Sequence, residues 1–163
     1  MKVYIKNKIF SFGGNSDVLD ENKQSIFKVK GKPFSFTNKK NIYDMSGNLL
    51  YTIRNKFWTF LCNKIFVIDA NGKRVATLKK NKWSFNAKYQ ILDTDNKMSI
   101  EGKFWGRTSR IMKNGQPVAT ITRDYTVATD AFTLEADEKD IPFFTALVIA
   151  LDNIKDKIQN EDQ

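Results

Sequence analysis

The sequence contains no histidine and a single cysteine, Cys62, and these two shortages exclude several kinds of chemistry. Without histidine the chain lacks the usual general base, the commonest zinc ligand and every Ser–His or Cys–His nucleophile pair. One cysteine cannot form an intramolecular disulfide, which favours a reducing compartment, and the charged residues after Met1 do not match a signal peptide. We therefore expect a non-enzymatic protein of the cytoplasm that uses no cofactor.

Sequence motifs for nucleotides and metals are missing as well. Neither G-x-x-x-x-G-K-[ST] nor G-x-G-x-x-G occurs. Asp93, Asp95 and Asn96 resemble the start of a calcium loop, but the glycine and the distant glutamate that complete such a loop are absent. A turn between two strands explains these three residues better than a metal site, so we predict no metal centre.

Positive charge dominates the chain and is unevenly distributed along it. The net charge is +9, and residues 1–125 hold 24 Lys and Arg against 9 Asp and Glu, whereas residues 126–163 hold 3 against 9. The basic part of the chain therefore carries any affinity for a polyanion. The alternative is that these charges form a solvated surface and serve solubility alone.

Four segments between residues 42 and 125 repeat one pattern of strand, tight turn and strand. The turns are at Asp44–Gly47, Asn71–Gly72, Asp95–Asn96 and Asn114–Gly115, residue types that tolerate the positive φ angles of short hairpin turns. Apolar and polar residues alternate beside the turns, as in "RVATLKK" and "PVATITRD". Together with short strands such as "KVYIKNKIFSF" and "AFTLEAD", this pattern predicts a meander of about twelve antiparallel strands.

The run from Ile141 to Leu151 differs from the rest of the chain because Thr145 is its only polar residue. As a helix it is about 16 Å long, too short to cross a hydrocarbon layer of about 30 Å, and a helix that is apolar all round is buried all round. A barrel closed around this helix removes the sheet edges and fills the lumen. We predict one mainly β domain over residues 1–163. It is a closed antiparallel β-barrel, with strands over about 2–135, enclosing a C-terminal hydrophobic α-helix over about 140–158.

The order of these features resembles a known family. Repeated hairpins followed by "PFFTALVIALDNI" as a central helix are similar to the LURP-one-related family, whose fold is shared with tubby C-terminal domains and phospholipid scramblases. The resemblance extends from "VYIKNKIFSF" to "IKDKIQ". It implies the barrel fold and, by analogy with tubby-like domains, binding of phospholipid head groups through exterior lysine and arginine.

This chain departs from those relatives in ways that limit what the resemblance implies. The proline-rich extension, the cysteine cluster and the acidic calcium segment of scramblases are absent, so their membrane activities are not implied. No binding motif of tubby-like domains matches this sequence residue by residue. We therefore transfer no site from the family and choose candidates from the charge clusters of this chain.

The candidate ligands for an anion are clustered lysines and arginines on predicted strands and their connections. They are Lys39, Lys40, Lys79, Lys80, Lys82, Arg107 and Arg110. Near an anionic membrane each basic residue contributes about 1 kcal/mol, so three or four that converge are enough for weak adsorption. We expect a binding module for anionic phospholipid head groups that associates peripherally with a membrane.

Two alternatives remain open at this point. One is a structural or regulatory module that recognises another protein, by strand addition at an imperfectly closed barrel seam. The other is nucleic-acid binding, in which the tryptophans next to basic residues, Trp58, Trp83 and Trp105, stack on bases. Packing of each tryptophan on its own hairpin is the simpler explanation of those residues.

Overall fold

Twelve strands and one helix make up the part of the protein that the structure describes. This computed structural model describes residues 1–6, 15–31, 36–56, 64–80, 88–102, 108–125 and 130–161, with side chains for all of these except 124, 125, 130 and 154–161. The strands are β1 (Lys2–Lys6), β2 (Asn15–Leu19), β3 (Ser25–Gly31), β4 (Lys40–Asp44), β5 (Leu49–Asn55), β6 (Lys64–Asp69), β7 (Arg74–Lys80), β8 (Lys88–Leu92), β9 (Met98–Gly102), β10 (Thr108–Lys113), β11 (Gln116–Tyr125) and β12 (Asp130–Ala136). A 3-10 turn (Glu138–Asp140) leads into the helix α1 (Ile141–Glu161).

All twelve strands form one closed antiparallel barrel. Each strand pairs with the strands before and after it in the sequence, and β1 closes the ring by pairing with both β2 and β12. The β1–β12 pairing runs from Lys2 opposite Glu135 to Lys6 opposite Ala131. The predicted barrel of about twelve strands is confirmed, and its strand order is that of a simple meander.

The barrel interior is lined by the apolar residues that alternate along each strand. In β1, Val3 and Ile5 are buried while Lys6 is exposed, because side chains two residues apart point to the same face of a strand. The same alternation buries Val67 in β6 and Leu78 in β7. The period of two seen in the sequence therefore separates the core face from the outer face.

The first thirteen residues of α1 lie inside the barrel. Between Ile141 and Asn153, every residue except Pro142 and Phe143 is at most 3% exposed. Successive helical residues point in all directions around the axis, so burial at nearly every position requires an enclosing wall. The predicted enclosed hydrophobic helix is confirmed. In the described ranges, no helix is long and apolar enough to cross a membrane.

The two ends of the barrel are distinguished by which strands finish there. Short turns lie at one end, which we call the turn end: residues 20–24, 45–48, 70–73, 93–97 and 114–115. The opposite end, which we call the far end, is where β1, β3, β5, β7, β9 and β11 finish. The helix α1 enters the lumen from the turn end. It reaches the far end near Asn153, whose Nδ2 donates a hydrogen bond to the carbonyl oxygen of Asn38 at 3.1 Å.

Three of the turns are built around an aspartate. The Asp20 and Asp69 carboxylates each accept hydrogen bonds from the backbone N–H groups two and four residues later, at 2.8 or 2.9 Å. The Asp44 carboxylate accepts from the backbone N–H and the side-chain Nδ2 of Asn48, both at 2.8 Å. The third residue after each aspartate has a positive φ, which favours glycine. Glycine is present at Gly47 and Gly72, whereas the first turn has Lys23 with a φ of 63°.

Candidate anion-binding surface

Three lysines lie side by side on the barrel exterior at the far ends of β5, β6 and β7. Lys64 is the register partner of Lys79, and the backbone N–H of Lys56 donates to the carbonyl oxygen of Lys64 at 3.1 Å. Neighbouring strands are about 4.8 Å apart, so the backbones of the three residues lie within about 10 Å of one another, measured across the strands. Lys56 and Lys79 are exposed and Lys64 is half-buried. We call Lys56, Lys64 and Lys79 the lysine row.

The lysine row has no acidic partner within the described part of the chain. The salt bridges found there are Lys2–Glu135, Arg74–Asp93 and Lys88–Glu101. Like charges directly opposite each other destabilise a sheet, so the pairing of Lys64 with Lys79 is unfavourable for the barrel itself. A bound anion would remove this repulsion, which makes the row a candidate anion-binding surface.

Arg54 extends the positive charge of the lysine row along β5. It lies two residues before Lys56 on the same face and is exposed. Its Cζ is 5.9 Å from the ring centre of Phe66, and the Cζ of Arg74 is 5.2 Å from the same ring. These cation–π contacts orient the two guanidinium groups over the outer face of β6 while leaving the N–H groups of Arg54 accessible.

The neighbouring exterior row, on β8, β9 and β10, contains a carboxylate. The Nζ of Lys88 is 2.7 Å from Oε1 of Glu101, and Arg110 is the register partner of Glu101 on the other side. The hydrogen bond from Lys88, and then the one from Ser99, hold the pKa of the Glu101 carboxyl below its usual value. The charged Glu101 therefore offsets positive charge around Arg110, in contrast to the lysine row.

The predicted residues occupy several different environments. Lys79 lies in the lysine row, and Arg110 is exposed beside Glu101. Lys80 is half-buried and lies on the interior face of β7, which it shares with the buried Leu78. Lys39 is half-buried just before β4. Lys82 and Arg107 lie outside the described residues. Because the described candidates lie in different places, they do not form one surface within the described part of the chain.

Lys40 lies inside the barrel, and its predicted place on the exterior is wrong. It is 3% exposed and shares the interior face of β4 with Ile42. The helix brings Asp152 and Asn153, 2% and 0% exposed, to the same end of the lumen. A buried ammonium requires polar surroundings, and Asp152 and Asn153 are the buried polar residues that follow the apolar part of α1 at this end.

The other features singled out in the sequence add no further site. Trp58, Trp83, Trp105 and Cys62 all lie outside the described residues. Asp93 accepts a hydrogen bond from the Thr77 hydroxyl at 2.5 Å and is 3.0 Å from Nε of Arg74, so its carboxylate is engaged by two side chains of β7. Over the described ranges, no group of three or more Cys, Asp or Glu residues could hold a metal ion.

Lys56 and Lys64 were not among the residues predicted from the sequence, although the sequence pattern indicates that Lys64 lies opposite Lys79. Lys64 and Lys79 are equidistant from the centre of the Asn71–Gly72 turn, and a hairpin that is symmetrical about that turn places them opposite each other. Lys56 could not be found in this way. Its position opposite Lys64 depends on the β5–β6 pairing, which no tight turn marks in the sequence.

Comparisons with known proteins agree with one another over nearly the whole chain. A family model described as LURP-one-related matches residues 1–152. The uncharacterized protein YxjI of Bacillus subtilis (strain 168) is 26% identical over 155 residues, covering 94% of this chain and 93% of YxjI. A solved structure of an Arabidopsis thaliana protein aligns with a TM-score of 0.67 at 19% identity, covering 94% of this chain and 91% of that one. That structure has the same fold.

Proposed function

The chain belongs to the LURP-one-related family, and from this membership and the lysine row we propose that it is a non-enzymatic module that binds anionic phospholipid head groups at a membrane surface. The observation that carries the proposal is the row of register-paired lysines, which has no acidic partner among the described residues. Phosphate oxygens of a head group supply the negative charge that the neighbouring strands do not.

The strength of such binding follows from the number of charges involved. Each lysine or arginine close to an anionic membrane contributes about 1 kcal/mol, so the row and Arg54 together contribute about 3–4 kcal/mol. This corresponds to an increase in membrane affinity on the order of a few hundredfold. Because exposed charges act over a Debye length of about 10 Å at moderate salt, the binding is weak, reversible and salt-dependent.

Co-sedimentation with vesicles tests the proposal. One set of vesicles contains phosphatidylcholine alone, a second adds phosphatidylserine and a third adds phosphoinositides, each at low and at physiological salt. The expected result is binding to the two anionic sets, weaker at higher salt. Absence of binding to every anionic set at low salt would overturn the proposal, and a competing oligonucleotide separates lipid binding from general polyanion binding.

A charge-matched pair of variants locates the binding surface. The triple variant Lys56→Glu, Lys64→Glu, Lys79→Glu reverses the lysine row. The control Lys73→Glu, Lys97→Glu, Lys113→Glu reverses three exposed lysines of the turn end and changes the net charge by the same amount. We expect the first variant to lose binding and the second to retain it. Equal loss in both would mean that net charge, and not the lysine row, drives binding.

A second candidate function is recognition of another protein at the seam between β1 and β2. These strands pair only at Tyr4 with Leu19 and at Ile5 with Val18 in the described ladder, whereas the β1–β12 pairing is five residues long. At the end of described β1, the Ser16 hydroxyl donates to the carbonyl oxygen of Lys6 at 3.1 Å. A short seam of this kind is where an added strand could pair.

The two candidates predict different responses to salt and to charge reversal. Strand addition depends on backbone hydrogen bonds and apolar contacts, so it persists at high salt and in the variant with the lysine row reversed. Head-group binding is lost under both conditions. A partner captured at high salt by both proteins, together with no vesicle binding, would favour the second candidate.

A further inference from the structure

Phe36 is the most exposed large apolar residue of the described chain. It is 95% exposed, compared with 50% for Met45, 43% for Met1 and 41% for Leu92. A phenylalanine ring in water has an unfavourable hydration free energy that burial would remove. Aromatic side chains that remain outside a core are typical of interfaces with proteins or with the head-group region of a membrane.

Phe36 lies at the far end of the barrel, together with the lysine row. It belongs to the connection between β3, which ends at Gly31, and β4, which begins at Lys40. Met45 lies in the next turn along the chain, between β4 and β5, and therefore at the turn end. These two exposed apolar residues mark opposite ends of the same barrel.

Charge is also distributed unequally between the two ends. Among the strand residues whose side chains the structure describes, together with Lys56, the outer face of the far half carries nine basic residues and two acidic ones. The basic residues are Lys6, Lys28, Lys30, Arg54, Lys56, Lys64, Lys79, Lys88 and Arg110, and the acidic ones are Asp17 and Glu101. The turn end carries nine acidic and six basic side chains. These lie at 20–24, 44–48, 69–74, 93–97, 113–116 and 137–140.

From this juxtaposition we infer that the protein docks end-on, with its far end on an anionic bilayer and Phe36 inserted between the head groups. This inference rests on the proposed function and adds an orientation and an inserting residue to it. The charge asymmetry turns the far end towards the negative surface, since the acidic turn end is repelled. The ring of Phe36 then enters the interfacial region while nearby lysines remain at the level of the phosphates.

Labelling of the two exposed positions tests the orientation directly. Phe36→Cys and Met45→Cys are each prepared in a Cys62→Ala background and labelled with a polarity-sensitive fluorophore. Circular dichroism confirms that both proteins are folded. Each is then mixed with vesicles of equal parts phosphatidylcholine and phosphatidylserine at low salt, and emission and co-sedimentation are measured on the same sample.

The expected result is co-sedimentation of both proteins, with a blue shift and a several-fold rise in emission for the label at position 36 alone. Co-sedimentation without a shift at position 36, or with a shift at position 45, would overturn the inference and leave the proposed function in place. Absence of co-sedimentation would overturn both. Phe36→Ala, without any label, should lower vesicle affinity on the order of tenfold, whereas Met45→Ala should leave it unchanged.

Discussion

Lys64 and Lys79 face each other across β6 and β7 on the barrel exterior, and neither forms a salt bridge with any described carboxylate. Directly opposed like charges in a sheet destabilise it, whereas opposite charges stabilise it by about 0.2–1 kcal/mol. Lys79→Glu should therefore raise the free energy of unfolding by about that amount and at the same time lower vesicle binding. Urea unfolding and co-sedimentation measure the two effects on one protein.

Lys79→Gln is the matched control for this pair. It removes the repulsion without adding an attraction, so its stability should lie between those of the wild type and Lys79→Glu. Its vesicle binding should fall less than that of the charge reversal. If Lys79→Glu were less stable than the wild type, the opposed lysines would not be a source of strain, and their repulsion would not point to a bound anion.

The sequence was sufficient for the fold because the patterns that determine it are local. Alternation with a period of two separates the faces of each strand, and the hairpin turns order the strands as a meander. The run from Ile141 to Leu151 is apolar all round, and enclosure is the only environment that satisfies such a helix away from a membrane. Neither inference required knowledge of a distant contact.

The candidate site was less predictable because it depends on which residues share a face. Lys79 and Lys80 are adjacent in the sequence, so in a strand they point to opposite faces, and only Lys79 reaches the exterior. Lys40 lies on the same face as Ile42 and is buried at the end of the lumen to which α1 brings the polar residues Asp152 and Asn153. That helix is more than one hundred residues away in the sequence.

Lys23 occupies a backbone conformation that suits glycine, and its replacement should stabilise the barrel. Its φ is 63°, and Gly47 and Gly72 occupy the equivalent positions of the other two turns. Lys23→Gly removes steric strain of about 1–2 kcal/mol from the folded protein. Glycine also gives the unfolded chain more conformational freedom, which lowers the free energy of unfolding by about 0.5–1 kcal/mol. We expect a net gain of up to about 1 kcal/mol in the free energy of unfolding, measured with urea.

Glu21→Gly in the same turn is the control for this substitution. Glu21 is exposed and is not among the residues with positive φ, so glycine there brings only the entropic cost. Its free energy of unfolding should fall slightly. A gain in stability for Glu21→Gly equal to that for Lys23→Gly would contradict the assignment of strain to position 23.

The Asp44 turn should make a pH-dependent contribution to stability. The side-chain hydrogen bond from Asn48, followed by backbone N–H bonds, lowers the pKa of the Asp44 carboxyl in the folded protein. A group whose pKa is lowered by folding stabilises the folded state above its unfolded pKa of about 4, and this contribution is lost as the pH falls through the folded pKa. Asn48→Ala should raise the pKa of Asp44 towards its usual value, as followed by NMR titration. An unchanged pKa would show that the Asn48 side chain is not the principal cause.

Leu147 is the residue with which the enclosed helix can be tested most directly. It is 0% exposed at the middle of the buried part of α1, so Leu147→Asp places an unpaired carboxylate in an apolar lumen. We expect this variant to be unfolded at neutral pH, whereas Leu147→Ala should fold with a free energy of unfolding lower by about 2–5 kcal/mol.

Leu92→Asp is the control, because Leu92 is 41% exposed at the end of β8 and should accept the charge with little loss of stability. Circular dichroism and thermal unfolding compare the three. A folded Leu147→Asp protein with a native spectrum would mean that α1 can leave the lumen. The barrel would then be stable without its helix, and packing around α1 could not be what stabilises its core.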